Sequence, residues 1–393
     1  SNQYATLITE NRPRRYLFFY AHAGFSNQLY ALQRAMCIGY STQRTIIVPP
    51  LLPHIGSRTA YKFGGRAGKD FIVANKIAVD DAKTVLSMDN QTEFPSWSEI
   101  INYDVLTKKT GVHLIDLFDF MRMTSESAAA GALLNHTVDI HSMPAEIDDW
   151  IEFLDFFNAH FGNNTVALIG SAFTLKYEEA FGKYDKDAME NIRRATLGFT
   201  PSNKLLYLLR SAIIHVPQNY VGVHIRFGDT YHLSLCDEKT AAEEYKKLLT
   251  VIEEANVTKG SAIYLGSKES NAKKCFEEYS HHDYKVFTLN DLLNVPPSDE
   301  HTDRDLERRK MNAAIPSLQD AMNEIYVDLG TKHLIIDLVL ISLGYRIFFS
   351  RVSFRQHYST FQQVIEHRHE SRTEFLNHIF DFNADRHDTN MQV

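Results

Sequence analysis

The feature that most constrains the fold is an alternation of short apolar runs, each ending in turn residues, with segments of helical periodicity. This alternation is typical of α/β proteins with parallel sheets. Two series of such units, separated by a mostly helical stretch over about 148–214, predict two Rossmann-like domains that face each other. The predicted strands are RYLFFY (15–20), RTIIVP (44–49), TVALIG (165–170), YVGVHI (220–225), AIYLGS (262–267), KVFTL (285–289) and RIFFS (346–350).

The length agrees with two domains, because 393 residues exceed what a single hydrophobic core ordinarily serves. We predict an N-terminal Rossmann-like domain over 1–205, a C-terminal Rossmann-like domain over 206–360 and a helical tail over 361–393. The apolar run over about 317–343 is predicted to be a long helix interrupted by Gly330. The polar segment 294–310 is predicted to be a surface insertion in the second domain.

The charge balance disfavours a general nucleic-acid binder, since the formal net charge is −8 and such proteins bind phosphates through clustered Lys and Arg. A local basic site for a small anionic ligand remains compatible with it. No apolar window approaches the roughly 20 residues that span a bilayer. Because the sequence begins at Ser1 without a signal-type apolar region, we keep open an N-terminal leader or membrane anchor that this chain lacks.

The N-glycosylation sequons and the cysteines indicate the cellular compartment in which the protein works. A chain of this length meets N-x-[ST] by chance about once or twice, and this one has four. They lie at Asn90, Asn135, Asn163 and Asn256. This indicates a luminal, glycosylated protein, with chance sequons in a cytosolic protein as the alternative. The three cysteines do not make a disulfide framework, but Cys236 and Cys275 can pair in an oxidising compartment, while Cys37 is the third.

The turn after the first strand, HAGFSNQ, contains a flexible glycine and polar residues that precede a helical pattern. Gly24 permits a tight turn, Ser26 or Asn27 can cap the helix, and the helix start leaves backbone N–H groups for an anion. Taken alone, an ordinary strand–turn–helix junction explains this segment at least as well.

The segment HIRFGD at the end of the fourth predicted strand is more informative. His224 and Arg226 lie on one face of the strand, Gly228 ends it, and Asp229 follows. An Arg at the mouth of a parallel strand needs an anion or a carboxylate, and its planar fork suits a diphosphate. The alternative is that Arg226 pairs with Asp229.

The segment RVSFRQHYSTF follows the last predicted strand and gathers hydroxyl and basic side chains where a helix is expected to start. Ser350, Arg351, Ser353 and Arg355 provide the groups of a phosphate site, although a solvated helix start explains them almost as well. No metal is expected, because the His pairs at 281–282 and 367–369 lack a third ligand at a convincing spacing.

Taken together and in this order, the three segments resemble the GDP-fucose-dependent fucosyltransferase superfamily, which includes protein O-, α1,6- and α1,2-fucosyltransferases. The G-x-x-N-Q turn of that group is matched from Gly24 to Gln28. Its H-x-R-x-G-D element is matched by His224, Arg226 and Asp229. The stretch DLVLISLGYRIFFSRVSF (337–354) resembles the strand and Ser-rich loop near the C-terminus of that group.

The resemblance implies a GT-B fold, with the donor bound mainly by the domain over 206–360 and the acceptor on the side of the domain over 1–205. It implies an inverting transfer of fucose from GDP-fucose to a hydroxyl of a glycan or of a protein Ser or Thr. It also implies that no metal or other cofactor is required and that nucleic acid is not a partner. A GT-B enzyme for another nucleotide sugar and a non-catalytic carbohydrate-binding homologue are the alternatives.

The resemblance also assigns roles to residues. Arg226 would meet the negative charge on the departing GDP, because no cation does so. For the general base we rank Asp229 and His22 first. His232, Asp237, Glu238 and a mechanism without a strong base are alternatives. The donor-binding residues implied are Gly24, Phe25, Asn27, His224, Arg226, Asp337, Ser350, Ser353 and Phe354.

Two departures limit this transfer of roles. Where many relatives have Ala-Thr-Asp after a strand, this chain has Gly266, Ser267 and Lys268, so that carboxylate contact is not carried over. The last loop has a single Ser353 before Phe354, where relatives often have two serines. For localisation, we expect the lumen of the Golgi or endoplasmic reticulum, with a type II membrane protein whose anchor is removed as one form.

Overall fold

The computed structural model describes thirteen ranges of the chain. They are residues 15–20, 24–51, 95–124, 149–162, 165–171, 178–217, 219–225, 239–267, 271–293, 318–324, 329–350, 360–373 and 375–376. These residues form two compact units. The first holds the described residues up to 98 and those of 103–196, and the second holds Glu99–Asn102 and the described residues from 197 onward.

The first unit is a parallel sheet with helices. Its strands are β1 (Tyr16–Tyr20), β2 (Thr45–Val48), β3 (Leu114–Asp116) and β4 (Val166–Ser171). Its helices are α1 (Phe25–Thr42), α2 (Tyr103–Thr110), α3 (Leu117–Thr124), α4 (Trp150–Phe161) and α5 (Glu178–Leu197). A short 3-10 turn, Trp97–Glu99, precedes α2.

The second unit repeats this plan. Its strands are β5 (Tyr220–Ile225), β6 (Ala262–Ser267), β7 (Lys285–Phe287) and β8 (Arg346–Phe349). Its helices are α6 (Asn203–Ile213), α7 (Lys239–Glu254), α8 (Ala272–Tyr279), α9 (Leu289–Leu293), α10 (Leu318–Glu324), α11 (Leu329–Leu343) and α12 (Thr360–Glu370).

Both sheets have the same strand order. The first runs β3-β2-β1-β4 and the second runs β7-β6-β5-β8, with every pair parallel. In each sheet the second and third strands are added on one side of the first strand. The fourth strand is added on its other side. The order therefore reverses between β1 and β4 and between β5 and β8, which is where open parallel sheets bind ligands.

Opposite faces of the second sheet pack against different helices, as the period of two along a strand requires. Val221, Val223 and Ile225 lie in a buried cluster with side chains of α7 and α8. Gly222 faces α11, and a Cβ there would overlap the carbonyl oxygen of Ile341. Helix α11 thus packs directly on the β5 backbone, which only glycine permits at this position.

Helix α12 and the residues just after it form hydrogen bonds with Phe199, near the beginning of the second unit, and with the last turn of α11. Arg368 is 1% exposed and donates from Nη1 to the carbonyl of Phe199 at 2.9 Å, with its guanidinium over the rings of Phe199 and Phe375. Nδ1 of His369 and Nε of Arg372 reach the carbonyls of the last turn of α11. These bonds are His369 to Ser342 at 2.9 Å and Arg372 to Leu343 at 2.7 Å. They satisfy carbonyls that a helix end otherwise leaves without partners.

The seven predicted strands are confirmed within a residue or two of their ends. Strand β3 was not predicted, because three residues are too few to display a pattern. The run 317–343 contains two described helices, α10 and α11, and Gly330 is the second residue of α11. Residues 325–328 between these helices lie outside the described residues. The predicted domain boundaries stay predictions, and the insertion at 294–310 lies outside the described residues.

Two further sequence features have a structural counterpart. Among the described helices, none combines the length and the apolar composition that crossing a membrane requires. Cys275 is disulfide-bonded, whereas Cys37 is a free and buried thiol. Cys236, the third cysteine of the sequence, lies outside the described residues.

Candidate functional site

The structure describes six of the predicted site residues. They are Gly24, Phe25, Asn27, His224, Asp337 and Ser350. The other predicted site residues lie outside the described part of the chain. They are His22, Arg226, Asp229, Ser353 and Phe354, and the alternative bases His232, Asp237 and Glu238 lie outside it as well.

The start of α1 lies beyond the carboxyl end of β1, where the register of the β1–β4 pair shifts between Phe19 and Tyr20. Gly24 is the N-cap, with φ −72° and ψ 168°, and its carbonyl accepts the first helical hydrogen bond from the amide of Gln28 at 3.1 Å. No side chain caps the helix. The expectation that Ser26 or Asn27 does so is therefore wrong, because both lie within the first turn.

A buried hydroxyl lies in that first turn. Ser26 is 6% exposed, and within the described residues its Oγ has no hydrogen-bond partner. The first amides of a helix also lack intrahelical partners. A buried polar atom of this kind is unusual without a ligand or a water molecule. The first turn of α1 therefore has hydrogen-bonding groups to offer an anion.

Phe25 anchors the first turn of α1 by packing against an aromatic side chain. It is fully buried and its ring stacks on that of Trp97, with centroids 5.4 Å apart and planes 22° apart. Trp97 in turn begins the 3-10 turn, whose next residue, Ser98, donates to the carboxylate of Asp116 at the end of β3. The start of α1 and the end of β3 are thus connected through one packed set of side chains.

Asp116 is a buried carboxyl that the sequence analysis missed. It is 4% exposed, Ser98 donates to one oxygen, and the hydroxyl of Tyr103 donates to the other at 2.7 Å. Burial raises the pKa of Asp116 to about 6, while both hydroxyl donors act in the opposite direction. With each oxygen paired, this group has a structural role in holding the turn.

In the second unit, the reversal of strand order brings two of the predicted residues together. His224, near the end of β5, is in register with Phe349 of β8. The amide of Ser350, directly after β8, donates to the carbonyl of His224 at 3.0 Å. The half-buried imidazole of His224 packs against Phe361 of α12, with ring centroids 4.7 Å apart. The ends of β5 and β8, which carry two of the predicted site residues, are therefore hydrogen-bonded neighbours.

Asp337 lies on α11 beside the carboxyl half of β6. A Cβ at Gly266, the residue before the last of β6, would lie 3.5 Å from the carboxyl carbon of Asp337. The hydroxyl of Tyr264, two residues earlier on the same strand, donates to Oδ1 of Asp337 at 2.5 Å. Asp337 is half-buried, whereas Tyr264 is fully buried. The carboxyl is therefore held from the sheet side, while part of the residue's surface remains exposed.

The surroundings of Asp337 favour its neutral form near neutral pH. Burial raises the pKa of Asp337 to about 7, and the hydrogen bond from Tyr264 opposes part of that increase. Burial and the neighbouring Asp337 also raise the pKa of Tyr264 well above its usual value, so its hydroxyl remains a donor. The pair thus combines a fixed donor with an acceptor whose charge changes in the physiological range.

The described residues contain no group of three His, Cys, Asp or Glu side chains placed to hold a metal ion. At the carboxyl ends of β5 and β8 they offer a histidine and a serine, and beside β6 they offer the half-buried carboxyl of Asp337. These are the groups that bind a polar ligand with N–H donors and negatively charged oxygens.

No protein-family description matches this sequence, and no curated protein matches it either. Solved structures do. The crystal structure of POFUT1 in complex with GDP has 9% sequence identity and a TM-score of 0.50, over 91% of this chain and 95% of that chain. Fucosyltransferase NodZ from Bradyrhizobium has 10% identity and a TM-score of 0.44, over 90% of this chain and 93% of that chain.

The likeness to POFUT1 extends over nearly the whole of both chains, and at 9% identity it concerns the fold. It confirms the predicted α/β fold of GT-B type with two Rossmann-like parts. The resemblance to GDP-fucose-dependent fucosyltransferases, first seen in three short motifs, therefore holds for the fold as a whole.

Proposed function

We propose that this chain is an inverting, metal-independent glycosyltransferase that moves fucose from GDP-fucose to a hydroxyl of a glycan or of a protein Ser or Thr. The observation that carries the proposal is the hydrogen bond that joins Ser350 to His224 at the reversal point of the second sheet, with Asp337 beside Gly266, the β6 residue in register with His224. Its fold is that of POFUT1, whose crystal structure contains GDP. The order of the three sequence motifs supports the same donor.

Asp337 suits the base of a guanine nucleotide. The Watson–Crick edge of guanine presents adjacent N–H groups, and a carboxylate accepts such donors in pairs. Uracil presents one N–H on that edge, so a carboxyl here favours guanine over uracil. The diphosphate would then lie toward the strand ends, near the backbone of Ser350 and the side chain of His224. The sequence motif assigns Arg226 to the same diphosphate.

The reaction needs little covalent chemistry from the protein. The acceptor oxygen forms a bond to the anomeric carbon as the bond from that carbon to the β-phosphate oxygen breaks, which inverts the configuration and releases GDP. The acceptor proton passes to a base, for which we propose Asp229 or His22. Arg226 and the helix N-termini would stabilise the charge that develops on GDP.

The test is GDP release from the purified chain in EDTA, with GDP-fucose, GDP-mannose, UDP-galactose or no donor in parallel. Slow GDP release from GDP-fucose alone, lost in Arg226→Ala, is the expected result. Release only from another donor would transfer the proposal to that nucleotide sugar. Dependence on an added metal ion would refute metal independence, and binding of GDP-fucose without turnover would support a non-catalytic homologue.

We also propose that the protein works in the lumen of the secretory pathway. The four sequons and the disulfide at Cys275 support this. Asn256 is exposed, as is Thr258 of the same sequon, while Val257 between them is buried. This turn joins α7 to the amino end of β6, opposite the carboxyl edge that carries the candidate site. A glycan there would leave the site open.

The localisation test follows the electrophoretic mobility of the chain secreted from eukaryotic cells, before and after removal of N-glycans. Asn256→Gln and Thr258→Ala should each remove one glycan and leave GDP release unchanged. Protein isolated from its own source with Asn256 unmodified and Cys275 reduced would contradict the proposal.

A further inference from the structure

The hydroxyl of Tyr264 belongs to a side chain that is buried and packed between neighbouring rings. Its side chain is 0% exposed, and its ring makes edge-to-face contacts with Tyr220 at 6.4 Å and with Phe287 at 5.4 Å between centroids. All three residues lie on adjacent strands of one sheet, and the register pairs Tyr264 with Gly222 and Phe287. The ring cannot turn away without disrupting this packing.

The hydrogen bond from Tyr264 gives the two oxygens of Asp337 different roles. Oδ1 accepts the buried hydroxyl at 2.5 Å, and within the described residues no second group hydrogen-bonds this carboxyl. Gly266 has no side chain that could cover it. The second oxygen therefore keeps its acceptor positions for a ligand, and Asp337 is only half-buried.

The other titratable and charged groups around α11 act on different partners. Tyr220 of β5 donates to the carbonyl of Leu340 at 2.5 Å, and Asp291 of α9 acts on Tyr264. Arg372, beyond α12, acts on Tyr220. On α11 itself, His333 is influenced by burial and by the charge of Lys332. Burial is therefore the main influence on the pKa of Asp337, and Tyr264 is the one described side chain that hydrogen-bonds its carboxyl.

We infer that Tyr264 is a positioning residue, which holds the Asp337 carboxyl so that its remaining acceptor positions face the N–H groups of the guanine base of the donor. This inference rests on the proposed function. It adds a residue that touches no substrate and that no motif contains. Loss of the hydroxyl would let the carboxyl rotate about its side-chain bonds and would also remove a stabilising donor from its ionised form.

The inference has a consequence for pH dependence. The ionised carboxyl accepts N–H donors, whereas the protonated form has an O–H that opposes them. Since burial raises the pKa of Asp337 to about 7, donor affinity should fall as the pH falls through that value. The Tyr264 hydrogen bond lowers this pKa, so Tyr264→Phe should shift the midpoint to higher pH.

The experiment measures the Kd of GDP-fucose by calorimetry between about pH 5.5 and 8.5 for the full chain and two variants. Tyr264→Phe should move the midpoint upward by about one pH unit and weaken binding up to about tenfold below it. Tyr220→Phe is the matched control, because it removes an equally buried hydroxyl that bonds to the same helix through a backbone carbonyl. Its midpoint should equal that of the unchanged chain.

Two outcomes would overturn the inference alone: an unmoved midpoint in Tyr264→Phe, or an equal shift in both variants. If the unchanged chain does not bind GDP-fucose at any pH, both the proposed function and this inference are refuted. Should Tyr264→Phe not fold, Asp337→Asn provides the second measurement. It should give weak binding without pH dependence over the same range, and retained pH dependence would refute the role of Asp337.

Discussion

The two units share a strand order, and each has a buried carboxyl near the carboxyl edge of its sheet, yet the two carboxyls differ in how they are satisfied. Asp116 in the first unit is almost fully enclosed and has a hydroxyl donor on each oxygen. Asp337 in the second unit is half-buried and has one donor. The number of internal partners thus distinguishes a carboxyl that holds the fold from one that is available to a ligand.

The largest expected effect concerns stability in the first unit. Asp116→Ala leaves the hydroxyls of Ser98 and Tyr103 buried without their acceptor, which should cost about 2–5 kcal/mol in the free energy of unfolding. Asp337→Ala leaves only Tyr264 unpaired and should cost about 1–3 kcal/mol. Chemical denaturation measures both. A larger loss of unfolding free energy in Asp337→Ala than in Asp116→Ala would contradict the structural role assigned to Asp116.

The loss of affinity for GDP-fucose should be larger for the Asp337 variant than for the Asp116 variant, which is the opposite of the order in stability. In Asp337→Asn, the oxygen would keep the Tyr264 hydrogen bond and the new amide would present N–H groups to the N–H groups of the base. We expect GDP-fucose to bind about tenfold to a hundredfold more weakly, which corresponds to roughly 1.4–2.8 kcal/mol. Asp116→Asn is the matched change in the other unit and should alter the Kd less than about twofold. Equal losses would show that both carboxyls serve binding.

The pH dependence of stability should separate the two carboxyls by about one pH unit. Each has a folded-state pKa above its unfolded value near 3.8, so its stabilising contribution is complete below that value and is lost as the pH rises. The loss should be complete above about pH 6 for Asp116 and above about pH 7 for Asp337. Unfolding free energies of Asp116→Asn and Asp337→Asn, each minus that of the unchanged chain, should therefore level off at different pH. Coincident curves would contradict the assignment.

The smallest expected effect tests the helix start of the first unit. Ser26→Ala removes a buried hydroxyl that has no partner among the described residues, so stability should change by less than about 0.5 kcal/mol. If the first turn of α1 contacts the donor, the Kd of GDP-fucose should rise about threefold. Ser41→Ala, on the same helix, is the control, because Ser41 bonds to the carbonyl of Cys37. The same Kd in both variants would exclude Ser26 from the site.

Local pattern was enough to predict most of the architecture. Strands β5 and β6 begin and end at the predicted residues, because a continuous apolar run between polar or glycine residues is a signal that neighbours along the chain supply. Strand β3 has three residues and no such signal.

The parts of the site that were not predicted depend on contacts between distant segments. Asp116, Ser98 and Tyr103 come from a strand, a turn and a helix, and nothing in their separate surroundings marks them as partners. Tyr264 looks like an ordinary apolar residue of a strand until α11 packs over it. Asp337 was indicated by the family resemblance, and a single acid in an apolar helix was the signal that residues alone could have given.

The hydrogen bonds of α12 affect when the second unit can fold during synthesis. Its Arg368 binds the carbonyl of Phe199, at the beginning of that unit, and its neighbours cover the carbonyl end of α11. During synthesis, Phe199 and all four strands of the sheet leave the ribosome before α12 does. The unit can therefore complete its packing only after α12 has been synthesised, and closing a loop of this length slows folding. Until then the carbonyl end of α11 is exposed to water or to a chaperone.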